Sequence, residues 1–433
     1  MSIKNVPYNL SLGGIDDNHI TFVNGIKVAI KNLIDMNWIN SYKLLKAMLI
    51  GMLFFNYGCR HSESPMMDKT FRVNNVLVDS LATIETLNLF SNLQSLAKDK
   101  VLFGHQESTA YGVGWTHEGI TIESDIEKVC GDFPAVYGWD IGNIGKRTNN
   151  DCIPFSHMKK LIIDAFERGG INTISSHMHN AHTGKNYGDV TTPSVSAILP
   201  GGSHHTNFIQ KLDLIADFIK DLKSKDGAFI PIIFRPYHEH NGDWFWWGKG
   251  PATEEEFIQL WRFTVDYFRN EKELHNLLYA FAPARSRMKY PLTASEYLYG
   301  YPGDGYVDVL GFDNYFDLDG IWNKAPLEQQ KKSFKESLEL IVELAEEKNK
   351  IAALTETGSV NLKTNKWWTD WLLNGIEANE NTKKIAYVMV WRNEDKKHFH
   401  APYPDHKGVL NFKEFFNNPD VIFNSDLPDL YKN

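Results

Sequence analysis

Two glutamates stand at the ends of apolar runs, where a carboxylate is free to do chemistry. Glu239 follows a β-branched stretch that begins at Phe229 and passes Arg235, and Glu356 ends a second apolar run. Four aromatic residues come soon after Glu239: Trp244, Phe245, Trp246 and Trp247. A carboxyl group beside exposed indoles suits work on a glycosidic oxygen, with the indoles stacking on sugar faces. The structural alternative is a buried, arginine-paired glutamate next to a tryptophan-rich core.

The two glutamates could divide the work of a retaining glycosidase, in which a nucleophile and an acid/base lie about 5–5.5 Å apart. Glu239 would have to keep a proton at neutral pH. Its pKa must then be raised by apolar cover, for which Trp244 is a candidate, and by the charge of the nucleophile. Glu356 must be ionised, and Tyr315 and Arg392 are the best candidate hydrogen-bond donors to it.

The elements that position these residues are eight strand-like apolar runs that alternate with helical patterns. The runs cover residues 100–106, 134–140, 171–177, 229–239, 276–283, 306–313, 351–356 and 385–392. Eight strand–helix alternations predict a parallel sheet, and eight strands close a (β/α)8 barrel. An open, doubly wound sheet is the alternative, but no glycine-rich phosphate loop follows the first run.

Helical stripes separate the runs. The residues Phe208, Leu212, Ile215, Ile219 and Leu222 recur at helical spacing, and so do Phe334, Leu338, Ile341 and Ala345. Each set predicts one apolar face that packs on the sheet. Thr253 with three following glutamates predicts a helix start.

In a (β/α)8 barrel the active site forms at the carboxyl ends of the strands. The runs end in polar or aromatic residues there, among them His105, Asp140, His177, His238 and Asp313. Strands four and seven carry the two glutamates, so these face each other across the barrel mouth. The histidines could bind sugar hydroxyls or the carboxylates, or be structural, and Asp313 could also be structural.

Composition excludes several classes of protein. The chain has 433 residues and a formal charge of −9, so it offers no basic stripe for nucleic acid. Three cysteines, at positions 59, 130 and 152, cannot form a disulfide framework, although Cys130 and Cys152 could pair or remain thiols. Five histidines crowd residues 177–205, but they lack the spacing of a zinc site, and we expect no metal.

The N-terminal part predicts export. Lys43 and Lys46 precede a short apolar run that ends in Gly58 and Cys59, which resembles a bacterial lipoprotein signal with Cys59 lipidated. The run is far shorter than the about 20 residues of a spanning helix, and a short buried helix is the alternative. We therefore divide the chain into a signal (1–59), a polar linker (60–80) and one catalytic domain (81–433), anchored in the cell envelope through lipid only.

Residues 235–248 closely resemble the acid/base segment of glycoside hydrolase family 26, the β-mannanases of the clan A (β/α)8 barrels. Residues 354–358 resemble that family's nucleophile segment, and residues 104–106, 198–202 and 390–392 are also similar. The resemblance covers residues 81–430. It implies Glu239 as acid/base and Glu356 as nucleophile. It also implies six residues that shape the sugar subsites: His177, His238, Trp244, Tyr315, Trp391 and Arg392. We add Asp140 and His105 to this set as strand-end residues.

The expected function is that of a monomeric, cofactor-free retaining β-mannanase. It would hydrolyse β-1,4-mannosidic bonds of mannan, galactomannan or glucomannan, either within chains or from an end with release of mannobiose. The alternatives are a β-glucanase or xylanase on the same barrel, or a surface lipoprotein that binds glycans without cleaving them.

Overall fold

A computed structural model describes residues 77–116, 122–318, 323–364 and 366–433. The predicted export signal and Cys59 lie outside the described residues. Leu77 and Val78 are buried, and the Val78 amide donates to Asp308 at 2.9 Å. The fold therefore includes the last residues of the segment that we predicted as linker, and it begins before residue 81.

Eight parallel strands form a closed ring. They are β1 (Val101–Gln106), β2 (Val136–Asp140), β3 (Ile171–Ser175), β4 (Ile232–Arg235), β5 (Leu277–Phe281), β6 (Val309–Asp313), β7 (Ile351–Thr357) and β8 (Tyr387–Val390). Each strand pairs with the next, and β8 pairs with β1, which closes the barrel. Every strand lies within one residue of its predicted interval, so the predicted (β/α)8 architecture is confirmed.

The longer helices surround this ring. They are Ile84–Leu96, Asp125–Cys130, Phe155–Glu167, His205–Lys220, Glu254–Asp266, Leu327–Lys348 and Val409–Phe416. Short α-helical turns occur at Val195–Ile198, Ala294–Tyr297 and Asn374–Ile376, and π-helical segments at Tyr267–Glu271 and Trp367–Leu373. Two short strands, Tyr111–Gly112 and Trp115–Thr116, form a hairpin after β1, and Val421–Ile422 pairs with β1 on the outside of the ring.

The predicted helix faces are buried as expected. The predicted stripe residues Phe208, Leu212, Ile215, Ile219 and Leu222 are inaccessible to solvent. Those of the helix Leu327–Lys348, Phe334, Leu338, Ile341 and Ala345, are at most 2% exposed. Thr253 caps the helix that follows it in a reciprocal arrangement with Glu256. One apolar stripe per helix is enough because each helix covers the barrel with a single face.

The chain beyond β8 seals the amino-terminal half of β1. Phe103 of β1 contacts the rings of Phe412, Phe415 and Phe423 at centroid distances of 5.6, 5.8 and 4.7 Å. Trp368 packs on Phe412 at 4.6 Å. This aromatic cluster joins the C-terminal helix to the barrel wall, so the last residues of the chain are part of the core.

Cys130 and Cys152 are both free thiols, which answers the question that the sequence left open. Burial raises the pKa of Cys130 to about 12. In the described ranges, no helix combines the length and the apolar character that crossing a bilayer requires.

The C-terminal helix offers a paired test of this packing. Phe412 is fully buried, whereas Leu410 on the same helix is 77% exposed. We expect Phe412→Ala to lower the free energy of unfolding by about 3–5 kcal/mol, because it leaves a cavity among aromatic rings. Leu410→Ala should change it by no more than about 0.5 kcal/mol. Urea unfolding followed by tryptophan fluorescence measures both, and equal effects would contradict the described packing.

Candidate active site

Glu239 lies in a turn beyond β4, not at the end of the strand as we predicted. The strand stops at Arg235, because Pro236 has no amide hydrogen for the ladder. Tyr237 and Glu239 then take left-handed backbone conformations, with φ of 49° and 55°. The Glu239 amide donates to Ala282 at 2.7 Å, which fixes the turn against the chain after β5. Strained backbone of this kind concentrates at functional sites.

The surroundings of Glu239 raise its pKa to about 7. Burial is the largest cause, and the nearby charge of Glu356 is the second. The indole of Trp244 opposes both, since it donates to Oε2 of Glu239 at 2.8 Å and favours the charged form. Glu239 can therefore hold a proton near neutral pH and also release it, as an acid/base catalyst requires.

Glu356 lies on β7, where two donors hold its carboxylate. Nη2 of Arg235 donates to Oε2 at 2.6 Å, and the Tyr315 hydroxyl donates to Oε1 at 2.7 Å. Tyr315 is the donor that we expected. Arg392 is not, and the prediction that it contacts Glu356 is wrong. Its guanidinium lies 3.5 Å from Asp151 instead, because the chain turns away after β8.

Arg235 joins three strands in the interior of the barrel. From β4 it donates to Glu356 on β7 and, through Nη1, to Asp313 at the end of β6 at 2.7 Å. The Thr355 hydroxyl donates a further hydrogen bond to the Asp313 carboxylate at 2.7 Å. Arg235 and Asp313 are each 2% exposed. A planar fork of donors can serve two carboxylates at once, so this arginine sets the position of the nucleophile candidate.

Both glutamates line one cleft of about 630 Å³ at the carboxyl ends of the strands. The predicted residues in its wall are Glu239, Trp244, Tyr315, Glu356 and Trp391. The wall also contains residues that we did not predict as sugar-binding: Ser286, Arg287, Asp313, Phe316, Gly358, Val360, His398 and His400. The strand ends thus bring together the two carboxyls that sequence spacing could only place on opposite sides of a ring.

His400 reaches the cleft because Gly358 leaves space for it. Gly358 has φ of 153°, and a Cβ atom there would lie 2.6 Å from the His400 ring. Nδ1 of His400 donates to the Arg392 carbonyl at 3.1 Å, and burial lowers the pKa of His400 to about 3. The ring is therefore neutral. A glycine two residues after a nucleophile candidate was the only sequence signal for this contact.

Asp140 contacts His177 and does not line the cleft. Its Oδ2 lies 2.6 Å from Nδ1 of His177, and Ser175 and the Gly142 amide also donate to the carboxylate. Although burial lowers the pKa of His177, the charge and hydrogen bond of Asp140 raise it above its ordinary value. The His177 ring then meets His238 edge to face at 4.6 Å.

His238 and His105 are buried imidazoles. Each is 1% exposed, and neither lines the cleft. Burial lowers the pKa of His105 to about 4, and burial with the charge of Arg235 lowers that of His238 well below its ordinary value. The structure does not bring either ring to the cleft wall, so the expectation of direct sugar contacts finds no support in this geometry.

Only Trp244 among the clustered aromatics reaches the cleft. Trp246 and Trp247 are fully buried, and their indoles donate to the backbone carbonyls of Met178 and His238. Phe245 is 6% exposed. The expectation of exposed indoles after Glu239 is therefore wrong for Trp246 and Trp247, because a sequence cluster of aromatics serves a core as well as a surface.

The histidines of residues 177–205 are engaged in separate contacts. His179 lies 3.2 Å from the Asn150 amide, His205 lies 2.8 Å from the Ile198 carbonyl, and the rings of His182 and His204 lie 4.4 Å apart. Within the described ranges, no group of three or more possible ligands is arranged to hold a metal ion.

Comparison with known proteins identifies relatives over nearly the whole barrel. Residues 78–408 match glycosyl hydrolase family 26. A mannan endo-1,4-beta-mannosidase of Bifidobacterium adolescentis is 34% identical over 377 residues, which covers 81% of this chain and 36% of that protein. The structure of a GH26 beta-mannanase from Bacteroides ovatus is 38% identical with a TM-score of 0.74, and the match covers 81% of this chain and 98% of that one. A modular endo-beta-1,4-mannanase from Cellulomonas fimi is 35% identical with a TM-score of 0.75, at 83% and 79% coverage.

The closed parallel barrel, with a proton-holding glutamate after β4 and a second glutamate on β7 in the same cleft, defines a glycoside hydrolase. The chain belongs to glycosyl hydrolase family 26. It spans 36% and 52% of the lengths of the curated relatives from Bifidobacterium adolescentis and Caldalkalibacillus mannanilyticus.

The hydrogen bond between Trp244 and Glu239 predicts a pH effect. Trp244→Phe removes a donor that favours the ionised form, so the pKa of Glu239 should rise by about one unit. Because a general acid must be protonated to act, the basic limb of the kcat/KM profile should move to higher pH by that amount.

Trp261→Phe is the matched control, since its indole donates to the Tyr306 carbonyl away from the cleft. A pH–rate profile of each variant provides the measurement. A basic limb that stays in place in Trp244→Phe would show that Glu239 does not govern it.

Proposed function

We propose that this enzyme hydrolyses β-1,4-mannosidic bonds of mannan, galactomannan or glucomannan with retention of anomeric configuration. The observation that carries the proposal is the unequal pair of carboxyls in one cleft. Burial keeps Glu239 able to hold a proton, whereas Glu356 accepts hydrogen bonds from Arg235 and Tyr315. The names of the relatives from Bifidobacterium adolescentis and Bacteroides ovatus support mannan as the substrate.

The reaction has two displacements. Glu356 attacks the anomeric carbon, the bond from this carbon to the leaving oxygen breaks, and Glu239 gives its proton to that oxygen. A water molecule then loses a proton to the Glu239 carboxylate and attacks the anomeric carbon, which releases Glu356. The sum is one glycosidic bond and one water consumed, with both glutamates returned to their starting states.

The two glutamates should respond differently to removal. We expect Glu239→Ala to slow mannan hydrolysis by about 10²–10⁴-fold and to slow the first step on an activated aryl β-glycoside far less, because that leaving group needs little acid help. Glu356→Ala should abolish hydrolysis of both substrates while glycan binding survives.

Initial rates on both substrates and affinity electrophoresis in mannan measure these effects. Glu347→Ala, at an exposed position of the helix Leu327–Lys348, is the control and should keep wild-type rates. An unchanged rate in Glu356→Ala would overturn the mechanism. Loss of hydrolysis with surviving glycan binding would reject the alternative of a glycan-binding lipoprotein without catalysis.

Product analysis distinguishes mannan from the other polymers. We expect release of oligosaccharides from mannan, and little from lichenan or xylan, with the first-formed product in the β configuration by NMR. No release from mannan would reject this substrate in favour of a β-glucanase or xylanase. The time course on a series of manno-oligosaccharides tells cleavage within chains from release of mannobiose at an end.

We also propose that the protein is exported and held at the cell envelope by a lipid on Cys59, acting as a monomer. Support comes from the basic, apolar and small-residue order of residues 43–59. In the producing bacterium, radioactive palmitate should label the wild-type protein and not Cys59→Ser. An unlabelled wild-type protein, or equal labelling of both proteins, would reject the anchor.

A further inference from the structure

Trp244 carries an arginine on its ring. The Arg287 guanidinium carbon lies 4.8 Å from the centroid of the Trp244 ring, within the range of a cation–π contact. Nη2 of Arg287 also donates to Asp243 at 2.5 Å. The Arg287 side chain is 45% exposed, and both Arg287 and Trp244 line the catalytic cleft. An exposed arginine is thus held in the cleft wall by a neighbouring carboxylate and an indole.

The backbone just before Arg287 is fixed by two sets of contacts. Arg285, two residues earlier, is buried, and its guanidinium lies 2.8 Å from Asp317 and donates to Ser333 at 2.6 Å. One residue before that, Ala284 is held by the Asn241 side chain, which donates to its carbonyl and accepts from its amide, both at 2.8 Å. These contacts join the segment after β5 to the turn that carries Glu239, so the place of Arg287 is specified by the core.

The chemistry of the reaction tells which part of the substrate meets Arg287. The acid must lie within hydrogen-bond distance of the oxygen that leaves. Trp244 is bonded to the acid Glu239, and Arg287 covers Trp244. This part of the cleft wall therefore borders the leaving-group sugar, while Glu356 borders the sugar that it attacks.

The Arg287 guanidinium has more hydrogen-bond donors than its protein contacts use. The arginine side chain carries five N–H groups, and within the described residues the Arg287 guanidinium donates a hydrogen bond to Asp243 alone. The remaining donors are free for sugar hydroxyls in the cleft. Stacking on the indole and the ion pair with Asp243 hold the planar group before substrate arrives, which lowers the entropic cost of binding.

We propose that Arg287 binds the hydroxyl groups of the leaving-group sugar and is a specificity-determining residue for that side of the bond. The proposal rests on the proposed function, in which the leaving group is itself a sugar of a β-linked chain. Arg287 is not a participant in proton transfer. Its contribution is selective, since a leaving group without hydroxyls cannot use it.

The test compares two substrates that share the same attacked sugars, a manno-oligosaccharide and an aryl β-manno-oligoside whose leaving group is a nitrophenol. In Arg287→Ala the ratio of kcat/KM for the oligosaccharide to kcat/KM for the aryl substrate should fall about tenfold or more, as for a lost hydrogen bond to a charged group. In Arg287→Lys the same ratio should fall nearly as far, because an ammonium group lacks the planar fork of a guanidinium.

Arg262→Ala is the matched control, since this exposed arginine stacks on Tyr306 at 5.3 Å outside the cleft, and its ratio should equal that of the wild type. An unchanged ratio in Arg287→Ala would overturn the proposal. The proposal would also be overturned if Arg287→Ala lowered kcat/KM equally for both substrates and displaced the basic limb of the pH profile. That result is expected of an arginine that only holds Trp244 against Glu239.

Failure of the proposed function is visible separately, in the wild-type enzyme. If the wild type cleaves β-glucan or xylan and not mannan, the substrate assignment fails. The same ratio is then measured with the oligosaccharide and aryl glycoside of the glycan that it cleaves. A tenfold fall in that ratio for Arg287→Ala supports the role of Arg287, and an unchanged ratio overturns it.

Discussion

The active site depends on one buried guanidinium. Arg235 leaves β4 and reaches Asp313 on β6 and Glu356 on β7, so three strands of the barrel converge on one cation. A buried charge is tolerated when every partner is in place and becomes very costly when one is lost. Lysine would be a poor replacement, because its ammonium group lacks the rigid planar fork that meets two carboxylates at fixed angles. The position of the nucleophile candidate is therefore part of the stability of the barrel.

Two glutamates acquire different roles from different surroundings. Glu239 lies in a strained turn under apolar cover with one indole donor, and its pKa rises to about 7. Glu356 lies on a regular strand and receives an arginine and a tyrosine. The same side chain is thus suited to carry a proton at one place and to accept directed hydrogen bonds at the other, as two carboxyls that divide a hydrolytic reaction must be.

Most of the fold was predictable because barrel strands are buried on both sides and are therefore continuous apolar runs. All eight strands lie where such runs occur, and the stripes on the helices that begin at His205 and Leu327 are buried. The end of β4 was not predictable in the same way. Tyr237 and His238 look like continued strand, but proline at 236 and the left-handed turn send the chain towards Ala282.

Local sequence alone determined the barrel and the identity of the two glutamates, because strand order fixes which strand ends oppose each other across a ring. Only the tertiary structure decided which partners those glutamates meet. Arg235 and not Arg392 reaches Glu356, and Trp244 alone of the aromatic cluster reaches the cleft. The physical reason is that contacts between side chains of distant strands depend on how loops turn after the strand ends, and apolar periodicity carries no information about those turns.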